Sequence, residues 1–297
     1  MNLSDLVSID NQLLVSILVV ASISLGVVNS KVNSLTIGIL NRWSRWLCVS
    51  VGLAFLVEKM EWANRPFWAL AVIFFLFWLL LETLYTWLAI SAMSESSISL
   101  FPRFRNNKSG EEWPAHKKLI QLRDWLRENE FRKLQALVAD IGNGIDIRSS
   151  IYQDKSGKVR AQVLFIPQPN GLINYSLSFT SETADGKRLI TDNMHTPYGG
   201  FYPDNWNLIR RPWTRSVTSL FRLHEKRIQS LNLEVYEVDP VDDLNQQQGV
   251  LERKNIEEGF LFPLHLQEEN GRITWEGRYR VWKEVWLLNY LGITSRS

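Results

Sequence analysis

The sequence is poor in the residues that build disulfides, metal centres and acid–base chemistry. It holds one cysteine, Cys48, and four histidines in 297 residues. A lone cysteine excludes a disulfide within the chain and any zinc site made of cysteines. Charge of one sign is lacking too. The 33 basic and 31 acidic residues leave a net charge of +2, too little for an electrostatic footprint on nucleic acid. Signature spacings are absent as well: no H-E-x-x-H and no nucleophile elbow occurs. Gly142-Asn143-Gly144 lacks the G-x-G-x-x-G pattern and has its helix before it, where a phosphate loop has one after. No cofactor, no metal and no nucleic-acid partner is expected.

Tryptophan, by contrast, is abundant, with 13 copies. Six of them, Trp43, Trp46, Trp62, Trp68, Trp78 and Trp87, fall in or beside an apolar block at 1–93. Tryptophan favours the zone where hydrocarbon meets headgroups, because its ring is apolar and its N–H seeks a partner. A helix needs about 20 apolar residues to cross about 30 Å of hydrocarbon. Three spans are expected, at about 11–30, 43–60 and 66–92. The first has Asp5 and Asp10 before it and no basic residue, unlike a signal peptide. The second has only twelve uninterrupted residues, Trp46 to Val57, and relies on Arg45, Glu58 and Lys59 reaching out to the surface. A re-entrant segment is its alternative. The third contains Glu82, which must lie near the membrane surface or face another helix. A proton- or ion-carrying role, as in a transporter subunit, is the competing reading.

Basic residues prefer the cytoplasmic side. Lys31, Arg42 and Arg45 in the first loop and Arg103, Arg105, Lys108, Lys117 and Lys118 after the third span would share that side. The expected arrangement is a multi-pass protein of the inner (plasma) membrane with its N-terminus outside and a cytoplasmic domain, the lipid bilayer being the first partner.

The remainder reads as a linker at 94–112 and an α+β domain at 113–297: an antiparallel meander covered by helices. A helix starts after Trp113-Pro114, and its stripe runs on through Phe131, Leu134, Leu137 and Val138, as a second helix. Period-two alternation marks strands at 145–151, 159–165, 173–179 and 187–191, joined by turns at 154–157, 167–171 and 184–186. Ser216 or Thr214 caps a helix whose stripe is Val217, Leu220, Phe221, His224, Ile228 and Leu231. A fifth strand is expected at 233–238, a polar loop at 239–248, a short helix at 250–258 and strands near 260–266 and 272–275. Arg278 to Leu291 forms an aromatic helix, either packed on a core or lying on the inner leaflet.

Candidate chemistry concentrates at 185–205. Asp192 and His195 suit an acid–base pair, with His224 as a third member, and would serve a membrane-associated hydrolase or transferase. Turn formation explains the same residues without chemistry, and His224 on an apolar stripe suits a core histidine with satisfied hydrogen bonds. Asn193, Tyr198, Arg210 and Arg211 are candidate ligand-binding residues, the arginines for an anion. The stretch Asp185-Gly186, Thr191-Asp192-Asn193, Pro197 and Leu220 to His224 resembles a segment of membrane-anchored bacterial proteins. That resemblance implies a location at the inner membrane and no activity. With no catalytic constellation, the expected function is a non-catalytic module that binds a protein partner or ligand at the membrane surface.

Overall fold

The structure is a computed structural model that describes residues 3–32, 34–109, 113–142, 144–167 and 173–295, with side chains from residue 11 onward. The chain divides into two compact units. One holds the N-terminal helices up to Ile90 together with Val285–Gly292; the other holds Ser91–Glu284 and the residues from Ile293 on.

The first unit is built on three helices, α1 (Leu3–Val32), α2 (Leu35–Lys59) and α3 (Phe67–Glu95). Two of them are long and apolar enough to cross a membrane: 22 residues of α1, Asn11–Val32, and the 29 of α3. The three expected from sequence become two by this measure. α2 has the length, but Arg42, Arg45, Glu58 and Lys59 lower its hydropathy. What α2 provides is the packed interior of the unit. Trp46, Ser50 and Ala54 recur every four residues on one buried face, the spacing that stacks side chains along a helix. Trp46 stacks on Phe75 of α3 at 4.9 Å and on Trp43 at 5.4 Å. The outer faces of α1 and α3 stay apolar and uncovered, as at Ile17, Ile23, Leu80 and Leu88.

Val285–Gly292 completes this unit. It joins the end of α8 (Trp275–Trp286) to a π-helical turn, Leu287–Leu291. Trp286 and Tyr290 stack on each other at 4.3 Å, and both rings pack against Trp46. The Tyr290 hydroxyl donates to Glu82 Oε1 at 2.8 Å, so Glu82 has a partner from another segment. Arg42 and Trp43 donate to the carbonyls of Asn289 and Tyr290, each at 3.0 Å.

The second unit is a seven-stranded sheet whose spatial order follows the chain. Its strands are β1 (Arg105–Asn106), β2 (Arg132–Asp140), β3 (Asp146–Gln153), β4 (Arg160–Pro167), β5 (Ile173–Glu182), β6 (Arg188–Asp192) and β7 (Trp206–Arg210). Neighbours are antiparallel except β6 and β7, which run parallel. The meander from β3 to β6 follows the alternation in the sequence. The turn at 154–157 closes with Asp154 Oδ1 accepting the Val159 N–H at 2.8 Å. The turn expected at 167–171 lies, beyond Pro167, outside the described residues.

One face of the sheet carries Tyr152, Ala161, Val163, Leu177 and Phe179 and is covered by α4 (Lys117–Glu128) and α5 (Val217–Ile228) through Leu119, Leu122, Leu126 and Leu220. Ser216 caps α5, accepting from the Ser219 N–H. The other face carries Leu137, Ala139 and Ile151 and meets α6 (Pro240–Glu257) at Leu244. Phe104 is buried here too, and the Asn245 side chain bonds both its N–H and its C=O, at 2.7 and 2.9 Å.

Several expectations are corrected. The stripe from Phe131 to Val138 is strand β2 and not a helix. Glu130, at φ 59°, stops α4 in a left-handed conformation, and pairing with β3 decides the rest. The polar stretch at 239–248 is helical. Asp239 caps it by accepting the Val241 N–H at 2.9 Å, and Pro240 sits in the first turn, where its missing N–H costs nothing. The strand expected at 233–238 reduces to a single bridge, Leu233 with Thr183, and those near 260–266 and 272–275 to one between Leu261 and Ile273. β7 was not expected: a parallel strand needs a crossover and leaves no hairpin signal. Within 94–112, Ser94, Phe101 and Phe104 are buried in the second unit.

Candidate functional site

Strand alternation sends Arg160 of β4, Glu182 of β5, Arg188 and Asp192 of β6 and Arg210 of β7 to the sheet face that α6 covers. Charges buried there must be paired, and they form two groups.

The first is a two-arginine clamp around Asp243, which α6 delivers from its first turn. Arg160 Nη1 donates to Asp243 Oδ2 at 2.7 Å and Arg188 Nη2 to Oδ1 at 2.8 Å. Arg188 Nε also donates to Glu182 Oε1 at 2.6 Å. The Tyr236 ring covers the Arg160 guanidinium at 4.3 Å, a cation–π contact. Burial pushes the Tyr236 hydroxyl far above its ordinary pKa. Burial opposes the Arg188 charge, but Asp243 and its neighbours outweigh it, and the pKa is raised. Two guanidiniums face two carboxylates, so the clamp offers no surplus charge.

The second group is Asp192, Arg210 and Tyr202. Arg210 Nε and Nη2 donate to the two oxygens of Asp192 at 2.8 and 3.0 Å, and Nη2 reaches the Tyr202 hydroxyl at 3.2 Å. Burial works against the Arg210 charge, yet Tyr202 and Asp192 more than offset it and hold the guanidinium protonated. Tyr198 packs on Tyr202 at 5.0 Å. Its hydroxyl accepts from Nδ2 of Asn255, a fully buried residue whose Oδ1 takes the Phe201 N–H at 2.7 Å. Beside these rings a cavity of about 10 Å³ is lined by Tyr198, Tyr202, Arg210, Glu284 and Thr294. That is room for one water.

Of the acid–base candidates, Asp192 and His224 do not converge. Asp192 is on the α6 side, bound to Arg210. His224 is on the opposite side, fully buried between Ser181 Oγ (3.1 Å from Nε2) and Thr191 Oγ1 (2.9 Å from Nδ1). Burial, and after it the nearby Arg227 charge, pushes His224 down to about 3, so it is neutral at physiological pH. His195 is exposed in the loop after β6. Of the ligand-binding candidates, Arg210 and Tyr198 line the small cavity, while Arg211 is exposed. Asn193 braces the backbone: its Oδ1 accepts the Leu177 N–H at 2.8 Å and its Nδ2 reaches the Thr214 carbonyl at 3.3 Å.

The sequence reading missed Arg160, Arg188 and Asp243. Alternation alone does not tell a buried charged face from a solvated one; the clue to burial is Asp239-Pro240, the start signal of the helix that covers them. A wider, open groove of about 700 Å³ is lined by Ser94–Ser97 and Gln267–Arg272, two segments joined by the Arg272 N–H to the Ser94 carbonyl and by the Arg272 side chain to the Ser96 carbonyl. Among the described residues no three His, Cys, Asp or Glu side chains gather as for a metal ion.

No protein-family model, curated protein or solved structure matches this chain.

Proposed function

We propose that the protein is a membrane-anchored, non-catalytic binding or scaffolding module. The observation that carries this reading is the pairing of the buried charges with one another. Asp192 is spent on Arg210, and Asp243 on Arg160 and Arg188. Such networks fix a structure, and the two aspartates held in them are committed to their arginines. The open groove at Ser94–Ser97 and Gln267–Arg272 is the candidate binding surface; its volume falls in the range of ligand sites.

In this reading α1 and α3 cross the inner membrane, and α2 crosses with them as the partner of α1. Asn11 Nδ2 donates to Glu58 Oε2 at 3.1 Å, which satisfies the α2 carboxylate where the two helices meet. The N-terminus is outside and the sheet domain cytoplasmic. The support for that orientation is the distribution of Lys31, Arg42, Arg45 and the basic residues from Arg103 to Lys118, which three crossings place on one side.

The test is chemical cross-linking in intact membranes, followed by purification in mild detergent. A stoichiometric protein or ligand whose cross-links map to the groove supports the reading. Recovery of the chain alone, at every cross-linker length, overturns it. A reporter fused after Ser297 reads the orientation independently.

A further inference from the structure

On α3, Trp68 and Trp87 stand nineteen residues apart. At 1.5 Å per residue that is about 28 Å, close to the ~30 Å thickness of bilayer hydrocarbon. Trp62 and Trp68 are 73% and 69% exposed near the start of the helix, and Tyr85 is 71% exposed beside Trp87. These residues fit two aromatic belts, one at each membrane–water boundary. Glu82 then lies about one turn inside the second belt. Its carboxylate is held there by the hydroxyl of Tyr290.

That bond fixes a depth for Val285–Gly292. A segment whose Tyr290 reaches Glu82, and whose Trp286 and Tyr290 pack against Trp46 beside Phe75, sits at or below the second belt. Its composition suits that level. Leu287, Leu288 and Leu291 carry no charge, Leu288 is fully buried, and Leu291 is 57% exposed. The backbone carbonyls of Asn289 and Tyr290 are taken by Arg42 and Trp43, which removes the cost of bringing an irregular helical turn among lipids. We propose that Val285–Gly292 is an additional membrane element, inserted into the headgroup–acyl boundary with lipid against Leu291. The proposal rests on α1 and α3 crossing the membrane and adds a contact that the sequence alone left open.

The experiment uses the full chain carrying Cys48→Ser, reconstituted into phosphatidylcholine–phosphatidylglycerol vesicles. Single cysteines are introduced in turn at Leu291, at Ile17 on the uncovered face of α1, and at Lys155 in an exposed turn, and each is nitroxide-labelled. Collision with oxygen, which enters lipid, is compared with collision with a water-soluble nickel chelate. The expected result is a high oxygen-to-nickel ratio at Ile17 and Leu291 and a low ratio at Lys155. Adding Glu82→Gln and Tyr290→Phe together lowers the ratio at Leu291 and leaves Ile17 unchanged. A high ratio at Ile17 with Leu291 as low as Lys155 overturns the insertion and leaves the anchor standing. Low ratios at all three positions overturn the anchor and the insertion together. Shielding of Leu291 from both reagents means protein covers it in place of lipid, and also overturns the insertion.

Discussion

Asp192 and Arg210 stand directly opposite each other on the parallel pair β6–β7, joined by two hydrogen bonds in a setting where neither side chain is more than 7% exposed. Removing one partner strands a buried charge. Arg210→Met is expected to destabilise the sheet domain by about 3–5 kcal/mol. The double change Asp192→Asn with Arg210→Met should recover much of that loss, since the pair as a whole repays little beyond its own desolvation. Pulse proteolysis of the full chain across a urea series reads both. Equal losses in the single and double variants would refute the assignment.

The Asp243 clamp ties α6 to the sheet through a single side chain. Asp243→Asn leaves two guanidiniums against the single carboxylate of Glu182, with Arg160 stripped of its ion pair, at a cost of about 3 kcal/mol. Hydrogen exchange along Pro240–Glu257 should accelerate first, while α4 and α5 on the opposite face keep their protection. Uniform acceleration across both faces would show that α6 does not open separately.

His224 gives the sheet domain a pH dependence. Its folded-state pKa of about 3 lies below the ordinary value of 6.5. As pH falls through 6.5, the unfolded chain takes up the proton and the folded chain does not. The stabilisation is full above 6.5 and disappears progressively down to about 3. Between pH 6.5 and 5 the loss is about 2 kcal/mol. In His224→Gln that part of the slope should vanish, and an unchanged slope would assign it to other groups.

Gly277 sits where α8 passes the backbone of Phe260. A Cβ there would lie 2.3 Å from the Phe260 carbonyl oxygen, and neither backbone has room to give. Gly277→Ala is expected to cost about 1–3 kcal/mol. Gly186→Ala, where a Cβ meets nothing within 4 Å but φ is 77°, should cost less, through backbone strain alone. Thermal unfolding of the two variants side by side checks the order.

The legible parts of the sequence were those with a local period. The helices α1, α3 and α5 and the strands β3 to β6 announce themselves through apolar spacing, and Ser216 through its capping chemistry. What was hidden depends on partners distant in sequence. Phe131 to Val138 carries a helix-like stripe, yet β3 claims it for the sheet. Trp206–Arg210 is too short to signal a strand and owes its state to β6. The same cause hid the charge network: the bond from Arg210 to Asp192 joins residues eighteen positions apart and has no local signal.

The pair of hydrogen bonds between Asn245 and the backbone of Phe104 has a consequence for biosynthesis. The first segment of the sheet domain to leave the ribosome stays unfinished until a residue 141 positions later has emerged. Closure so far along the chain is slow. Until α6 emerges, the side of the sheet that it covers stays open, and an uncovered apolar sheet face is prone to stick to its neighbours.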